Sequence, residues 1–172
     1  LSSDRSAFFS SELMQYIRLA SEEGLPAAEV TGSYAGAMGM GQFMPSSYRE
    51  YAVDFDADGS RDLWHSTADV VGSVANYLNR YGWQPGQPVT RPAVASKEAA
   101  FNEIATKNFM PTLTVEQWRE KGFSSSGDLS PDLPAAVLQL AEEKRNTYWL
   151  TFKNFYVITR YNHSPLYAMA VY

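Results

Sequence analysis

The sequence predicts a mainly α protein of α+β class with a small mixed α/β insertion lobe and one EF-hand-like loop. Three observations lead there. Apolar residues recur at helical spacing in three places: Leu13, Ile17 and Ala20; Val70, Val74 and Leu78; Phe155, Ile158 and Tyr161. Proline- and glycine-rich turns with strand-like runs take over at Gln84. Between the first two helical segments, Asp54–His65 sets carboxylates at alternate positions ahead of a glycine. A chain of 172 residues fits one domain with an inserted lobe. The helical core is expected over 1–84 and 146–172, and the lobe over 85–145.

The elements follow in chain order. Ser10 to Glu23 reads as an amphipathic helix with Leu13, Tyr16, Ile17 and Ala20 on one face, Ser10 or Ser11 as cap, and Gly24 and Pro26 at its end. Gly32 to Tyr48 reads Gly-Ser-Tyr-Ala-Gly-Ala-Met-Gly-Met-Gly-Gln-Phe-Met-Pro-Ser-Ser-Tyr. Glycines at that density permit left-handed turns and close approach of a ligand or another backbone. Gln42 adds an amide donor and acceptor suited to sugar hydroxyls and acetamides, and Ser46 and Ser47 are candidate caps for the next helix. A Gly/Ala-rich run is equally a tight helix contact. It is no phosphate loop, since no Lys follows the glycines.

Asp54, Asp56 and Asp58 occupy positions 1, 3 and 5 of a calcium-type loop, with Gly59 at 6 and the Ser60 carbonyl at 7. Position 12 departs: His65 replaces the bidentate Glu. The alternative is an acidic turn capping the next helix. Asp69 to Arg80 reads as a helix with Val70, Val71, Val74, Ala75 and Leu78 inward and Gly82 as its stop. In the lobe, Gln84–Pro88 and Arg91-Pro92 read as a turn and an edge strand, and Thr114-x-x-Gln117 as a capping box. Ala135–Glu142 and Thr147–Phe152 read as a hairpin. Lys153–Asn162 returns to helix, and Ser164-Pro165 opens another.

Composition limits the function. The net charge is -5, the pI is near 5.0, and no Lys/Arg cluster occurs, so nucleic acid is not expected as a partner. The mean hydropathy is -0.31, and no apolar run reaches the roughly 20 residues of a membrane span. Without cysteine there are neither disulfides nor thiolate metal sites. The high aromatic content, 11 Tyr and 4 Trp, suits a core or the stacking of sugar faces. His163 has only His65 for company and no triad or zinc spacing, so it reads as structural.

Gly-Ala-Met-Gly-x-Gly-Gln-Phe-Met-Pro-Ser-Ser-Tyr closely resembles the membrane-bound lytic transglycosylase B family, which cuts bacterial peptidoglycan. The resemblance resumes at Tyr51-Ala-Val-Asp-Phe, at Gly72-Ser-Val-Ala-Asn-Tyr and at Asn154-Phe-Tyr-Val-Ile-Thr-Arg-Tyr-Asn-His-Ser, in the same order. It implies a lysozyme-like fold and cleavage of the β-1,4 bond between N-acetylmuramic acid and N-acetylglucosamine, with a 1,6-anhydromuramoyl product. It implies that Ser33 and Gln42 bind sugar, that Tyr77, Tyr161, Asn162 and Tyr167 line the groove, and that Arg5 points into it. Met38 and Met40 would pack its floor. Calcium, in a structural role, would be held by Asp54, Asp56, Asp58 and Ser60, with Asp69 closing a longer loop. No organic cofactor is implied.

The family's catalytic Glu sits in a Val-Glu-Thr/Ser-x-Trp/Tyr-Gly context that these residues lack. It is therefore expected upstream of Leu1, with this chain as a trimmed piece. Glu29, the acid nearest the glycine-rich stretch, is not expected to replace it. The alternative is a non-catalytic peptidoglycan-binding fragment. The implied place is the periplasm, either as a soluble protein or anchored to the outer membrane through a preceding segment. The implied partners are glycan strands and proteins of cell-wall synthesis or lysis.

Overall fold

Six helices and five strands make up the computed structural model, which describes residues 3–97, 99, 109–141 and 145–172. In chain order they are α1 (Ser3–Glu22), α2 (Pro45–Tyr51), α3 (Thr67–Arg80), β1 (Thr90–Ala95), β2 (Leu113–Thr114), α4 (Val115–Glu120), β3 (Phe123–Ser125), β4 (Pro134–Ala141), β5 (Asn146–Thr151), α5 (Lys153–Tyr161) and α6 (Pro165–Val171). A five-stranded sheet is more than a minor insertion: the α+β class stands, and the expectation of a mainly α chain is corrected. The chain divides into two compact units, residues 1–77 and 78–172. No helix among the described residues is long and apolar enough to cross a membrane.

In the first unit, α1 begins earlier than expected and Ser10 lies inside it, its hydroxyl donating to Ser6 O at 2.9 Å. The helix ends as predicted: Leu25 N donates to Ala20 O (2.9 Å), and Gly24 takes a φ of +64° that glycine adopts without strain. Its buried face matches the predicted one only at Ala20, with Tyr16 half-buried. Leu13 and Ile17 are exposed, whereas Glu12, Leu19 and Ala20 are buried. Glu12 explains the rotation. Its carboxylate accepts from Ser46 N (3.0 Å) and Ser46 Oγ (2.7 Å), capping α2 from a neighbouring helix. Ser46 and Ser47 are thus not the caps. Met44 stands at the N-cap without a side-chain bond, and Pro45 follows at N1. Arg49 then clamps Glu22 through two bonds of 2.8 and 2.6 Å.

Helix α3 also turns an unexpected face inward. Gly72, Ser73 and Tyr77 are buried, while Val71 is exposed. The residues that α3 packs on come close: a Cβ on Gly72 would stand 2.7 Å from the Phe55 ring. Ser73 Oγ accepts from Val53 N (2.9 Å), and Asn76 donates to Tyr51 O (2.8 Å). Backbone at such short range needs small or hydrogen-bonding partners, not valines.

In the second unit the sheet order is β2-β4-β5-β1-β3, with every pairing antiparallel. The predicted hairpin is β4–β5; Glu142 lies outside the described residues. β1 pairs on both sides, so the edge-strand expectation is corrected. Pro92 fits there because its carbonyl, accepting from Ser125 Oγ (2.7 Å), faces β3, whose ladder starts only at Ala93. Nitrogen and carbonyl of one strand residue point the same way, so no ladder bond is lost. Both faces of β4 are covered. Ala135 and Val137 pack with Trp118, Phe123, Leu150 and Phe152, while Leu138 packs with Val89, Phe155, Ile158 and Ala168. Trp118 is 1% exposed and donates to Ala135 O at 2.9 Å. The Thr114–Gln117 capping box and the Ser164 cap form as read.

Candidate functional site

The glycine-rich stretch folds back on itself. Met38 forms bridges with both Gly32 and Phe43, and the Met38–Phe43 pair exchanges two bonds of 2.9 and 3.0 Å. Ser33 Oγ accepts from Ala37 N (3.1 Å), which leaves the hydroxyl proton to donate outward. Gly39 is required where it stands. Its φ is +66°, and a Cβ there would sit 2.6 Å from Leu63 O. That contact joins the stretch to the acidic loop, and Met40 N donates to the same Leu63 carbonyl at 2.8 Å.

Gln42 takes φ +51°, an uncommon conformation for a residue with a side chain. Its amide nitrogen donates to Gly39 O (2.9 Å), which holds the exposed side chain over the loop. Strain retained at an exposed polar residue is a signature of functional sites. Ser33 and Gln42 line one open cavity of about 440 Å³ with Thr31, Gly32, Gly39, Met40 and Trp64. Met40 is exposed, and only Met38, at 3% exposure, packs beneath as expected. Trp64 and Thr31 escaped the sequence reading. An aromatic inside an otherwise polar loop was the available signal for Trp64.

A second cavity of the same unit, about 270 Å³, is mostly apolar and is lined by Glu12 among others. Glu12 is the buried acid that the sequence reading missed, but both its oxygens are occupied by Ser46. Glu29 is exposed, so the burial an acid/base role there requires is absent. Arg5 is exposed on the first turns of α1. Tyr77 is only 6% exposed, its ring against Tyr51 (4.8 Å) and Phe43 (5.9 Å), so it offers no open face to a ligand.

In the second unit, the Tyr161 and Tyr167 rings stack at 6.5 Å and 15°. Burial, and secondarily Tyr167, pushes the Tyr161 hydroxyl up to about 12. Asn162 ends α5 with its side-chain oxygen accepting from Ser164 N (3.0 Å) and is exposed, as is His163. Tyr161, Asn162 and Tyr167 therefore sit together on the α5–α6 turn.

The acidic loop gathers Asp54, Asp56 and Asp69, each with an oxygen within 4.8 Å of the others. Asp69 is fully buried in the first turn of α3, accepting from Phe55 N (2.7 Å) and Asp62 N (2.8 Å). Three converging carboxylates, one of them desolvated, fit a hard divalent cation. Asp58 is outside this cluster, its carboxylate accepting from Ser60 N (2.9 Å). His65, 86% exposed at its side chain, pairs with Asp62 instead. Burial raises the Asp62 carboxyl, but hydrogen bonds from Trp64 N, His65 N and the His65 ring outweigh it and leave it lowered.

Residues 1–172 match, over their full length, the family described as transglycosylase SLT domain. The chain belongs to this family. It is 41% identical over 168 residues to the membrane-bound lytic murein transglycosylase B of Escherichia coli, covering 98% of this chain and 45% of that protein. The soluble lytic transglycosylase SltB1 of Pseudomonas aeruginosa superposes with a TM-score of 0.89 at 42% identity, over 99% of this chain and 56% of that one. The E. coli lytic transglycosylase Slt35 in complex with calcium gives 0.85 at 40%, over 99% and 53%. SltB3 of P. aeruginosa in complex with NAG-NAM-pentapeptide gives 0.80 at 34%, over 94% and 43%. The chain thus spans about half the length of the proteins it matches. The lysozyme-like fold of this family is shared by the chain.

Proposed function

We propose that this chain is the saccharide-gripping part of a lytic transglycosylase acting on bacterial peptidoglycan. The observation that carries the reading is the shared cavity of Ser33 and Gln42, on a loop that holds the exposed Gln42 at φ +51°. The SltB3 neighbour, solved with a NAG-NAM fragment, supports a glycan as the ligand. In the reaction, an acid donates its proton to the oxygen leaving N-acetylmuramic acid. The muramoyl 6-hydroxyl closes on C1, returns its proton to that carboxylate, and leaves a 1,6-anhydro end with no water consumed. One carboxyl group therefore suffices, unlike the pair of an ordinary glycosidase.

Glu12 is committed to α2 and Glu29 is exposed. The acid in this proposal comes from protein outside these 172 residues. In the first unit Ser33 and Gln42 hold the sugar with Arg5 as a further contact, and in the second unit Tyr161, Asn162 and Tyr167 are taken as sugar-binding groups of their own. Tyr77 supports the floor through Phe43. Calcium is held by Asp54, Asp56 and Asp69, with Asp58 and the Ser60 carbonyl completing the shell, and it acts structurally; the calcium complex of Slt35 supports this. The segments 1–84 and 146–172 are taken as the glycan-binding core and 85–145 as its lobe. The place of action is the periplasm, with an outer-membrane anchor supplied by another segment, alongside proteins of wall synthesis or lysis.

The lack of a presented acid at the cavity among the described residues favours one second reading, a peptidoglycan-binding fragment without cleavage. Digestion of purified sacculi by the full-length protein, read by mass spectrometry of the muropeptides, separates the two. Anhydro-muropeptides are expected from the full-length protein, and binding without product from residues 1–172 alone. Glycan binding without product from the full-length protein leaves the binding module as the function.

A further inference from the structure

We propose that Trp64 is a sugar-stacking residue of the Ser33–Gln42 cavity, a role that rests on the glycan reading above. Trp64 lines the same cavity of about 440 Å³ as Ser33 and Gln42. It is half-buried, and its ring leans on the fully buried Tyr48 ring at 5.6 Å and 34°. A ring backed by another ring is held stiffly, so little freedom is lost when a ligand settles on it.

The backbone around it is fixed as firmly. Asp62 Oδ1 accepts from Trp64 N at 2.8 Å. The preceding Leu63 is fully buried, and its carbonyl accepts from Met40 N at 2.8 Å. Gly39 presses on that carbonyl, leaving no room for a Cβ. Trp64 is thereby locked to the loop that presents Gln42. A pyranose has an apolar face of axial C–H groups and an equatorial rim of hydroxyls and acetamides. Trp64 suits the face, and the Ser33 hydroxyl and Gln42 amide suit the rim. The indole N–H is a donor that suits a sugar oxygen. If packing on Tyr48 were its whole purpose, a Leu would serve.

The test titrates the full-length protein with a β-1,4-linked N-acetylglucosamine tetramer, followed by calorimetry and tryptophan emission. W64L keeps apolar bulk against Tyr48 but removes the stacking face, and W64F keeps a smaller one. With the melting temperature of each variant measured alongside, W64L is expected to weaken binding by about tenfold or more, with W64F between it and wild type. The ligand-induced emission change should vanish in both. Wild-type affinity in W64L, or an emission change that persists in it, overturns the stacking role. S33A and Q42A separate that result from failure of the glycan reading. If they weaken binding while W64L does not, only the role of Trp64 falls. If wild type binds neither tetramer nor sacculi, the glycan reading fails and the proposal falls with it.

Discussion

Helix α3 of the first unit turns Gly72, Ser73 and Tyr77 inward and leaves Val71 exposed, whereas α5 of the second buries Phe155, Val157 and Ile158. The same contrast runs through each unit. Residues 1–77 are held by carboxylates and hydroxyls gripping backbone: Glu12 on Ser46, Asp54 on Asp58 and Gly59, Asp69 on Phe55 and Asp62. Residues 78–172 are held by apolar side chains on both faces of one sheet. A region that must keep an open polar cavity cannot fill that space with hydrocarbon, so it fixes its loops with directional bonds.

The contrast is broken most strongly from the apolar side. Trp118→Ala removes the largest fully buried side chain of the sheet unit and its bond to Ala135 O. Its expected cost is about 3–5 kcal/mol, read as a shifted denaturation midpoint. Asp69→Ala leaves Phe55 N and Asp62 N without their acceptor and removes one carboxylate of the cluster. We expect a loss of about 3 kcal/mol and, more telling, a melting temperature that no longer rises with calcium or falls with chelator. An unchanged calcium response in Asp69→Ala would move the cation elsewhere.

Gly39→Ala forces a Cβ onto Leu63 O at positive φ, at an expected cost of about 1–3 kcal/mol. Because that contact shapes the cavity, affinity for the N-acetylglucosamine tetramer should fall while the thermal transition of the sheet unit stays in place. The gentlest probe is pH, since Tyr48 in the first unit and Tyr161 in the second are both pushed up to about 12. In Tyr48 burial dominates, followed by the charge of Glu23; in Tyr161 burial dominates, followed by Tyr167. Unfolded tyrosine titrates near 10. The protonated hydroxyls therefore stabilise the fold fully below pH 10, and this contribution is lost as pH rises through 12. Denaturation midpoints should decline over that window, and Tyr161→Phe should flatten the decline.

Much of this was legible in the residues themselves. The Ser164-Pro165 start, the Thr114–Gln117 capping box, the Gly24 and Gly82 stops and the β4–β5 hairpin are local events, decided within a few residues by side-chain chemistry and allowed φ. The glycine-rich stretch and the acidic loop announced themselves by composition. Periodicity gave the existence of α1 and α3 but not their buried faces, because their partners are backbone groups that no hydrophobic pattern records. The tertiary structure alone decided that Glu12 caps α2, that Pro92 sits inside a sheet, and that Leu63 brings Trp64 into the cavity of Ser33 and Gln42. Each depends on residues far apart in the chain meeting within hydrogen-bond distance. Local propensity fixes what a segment becomes, and only the packed fold fixes what it faces.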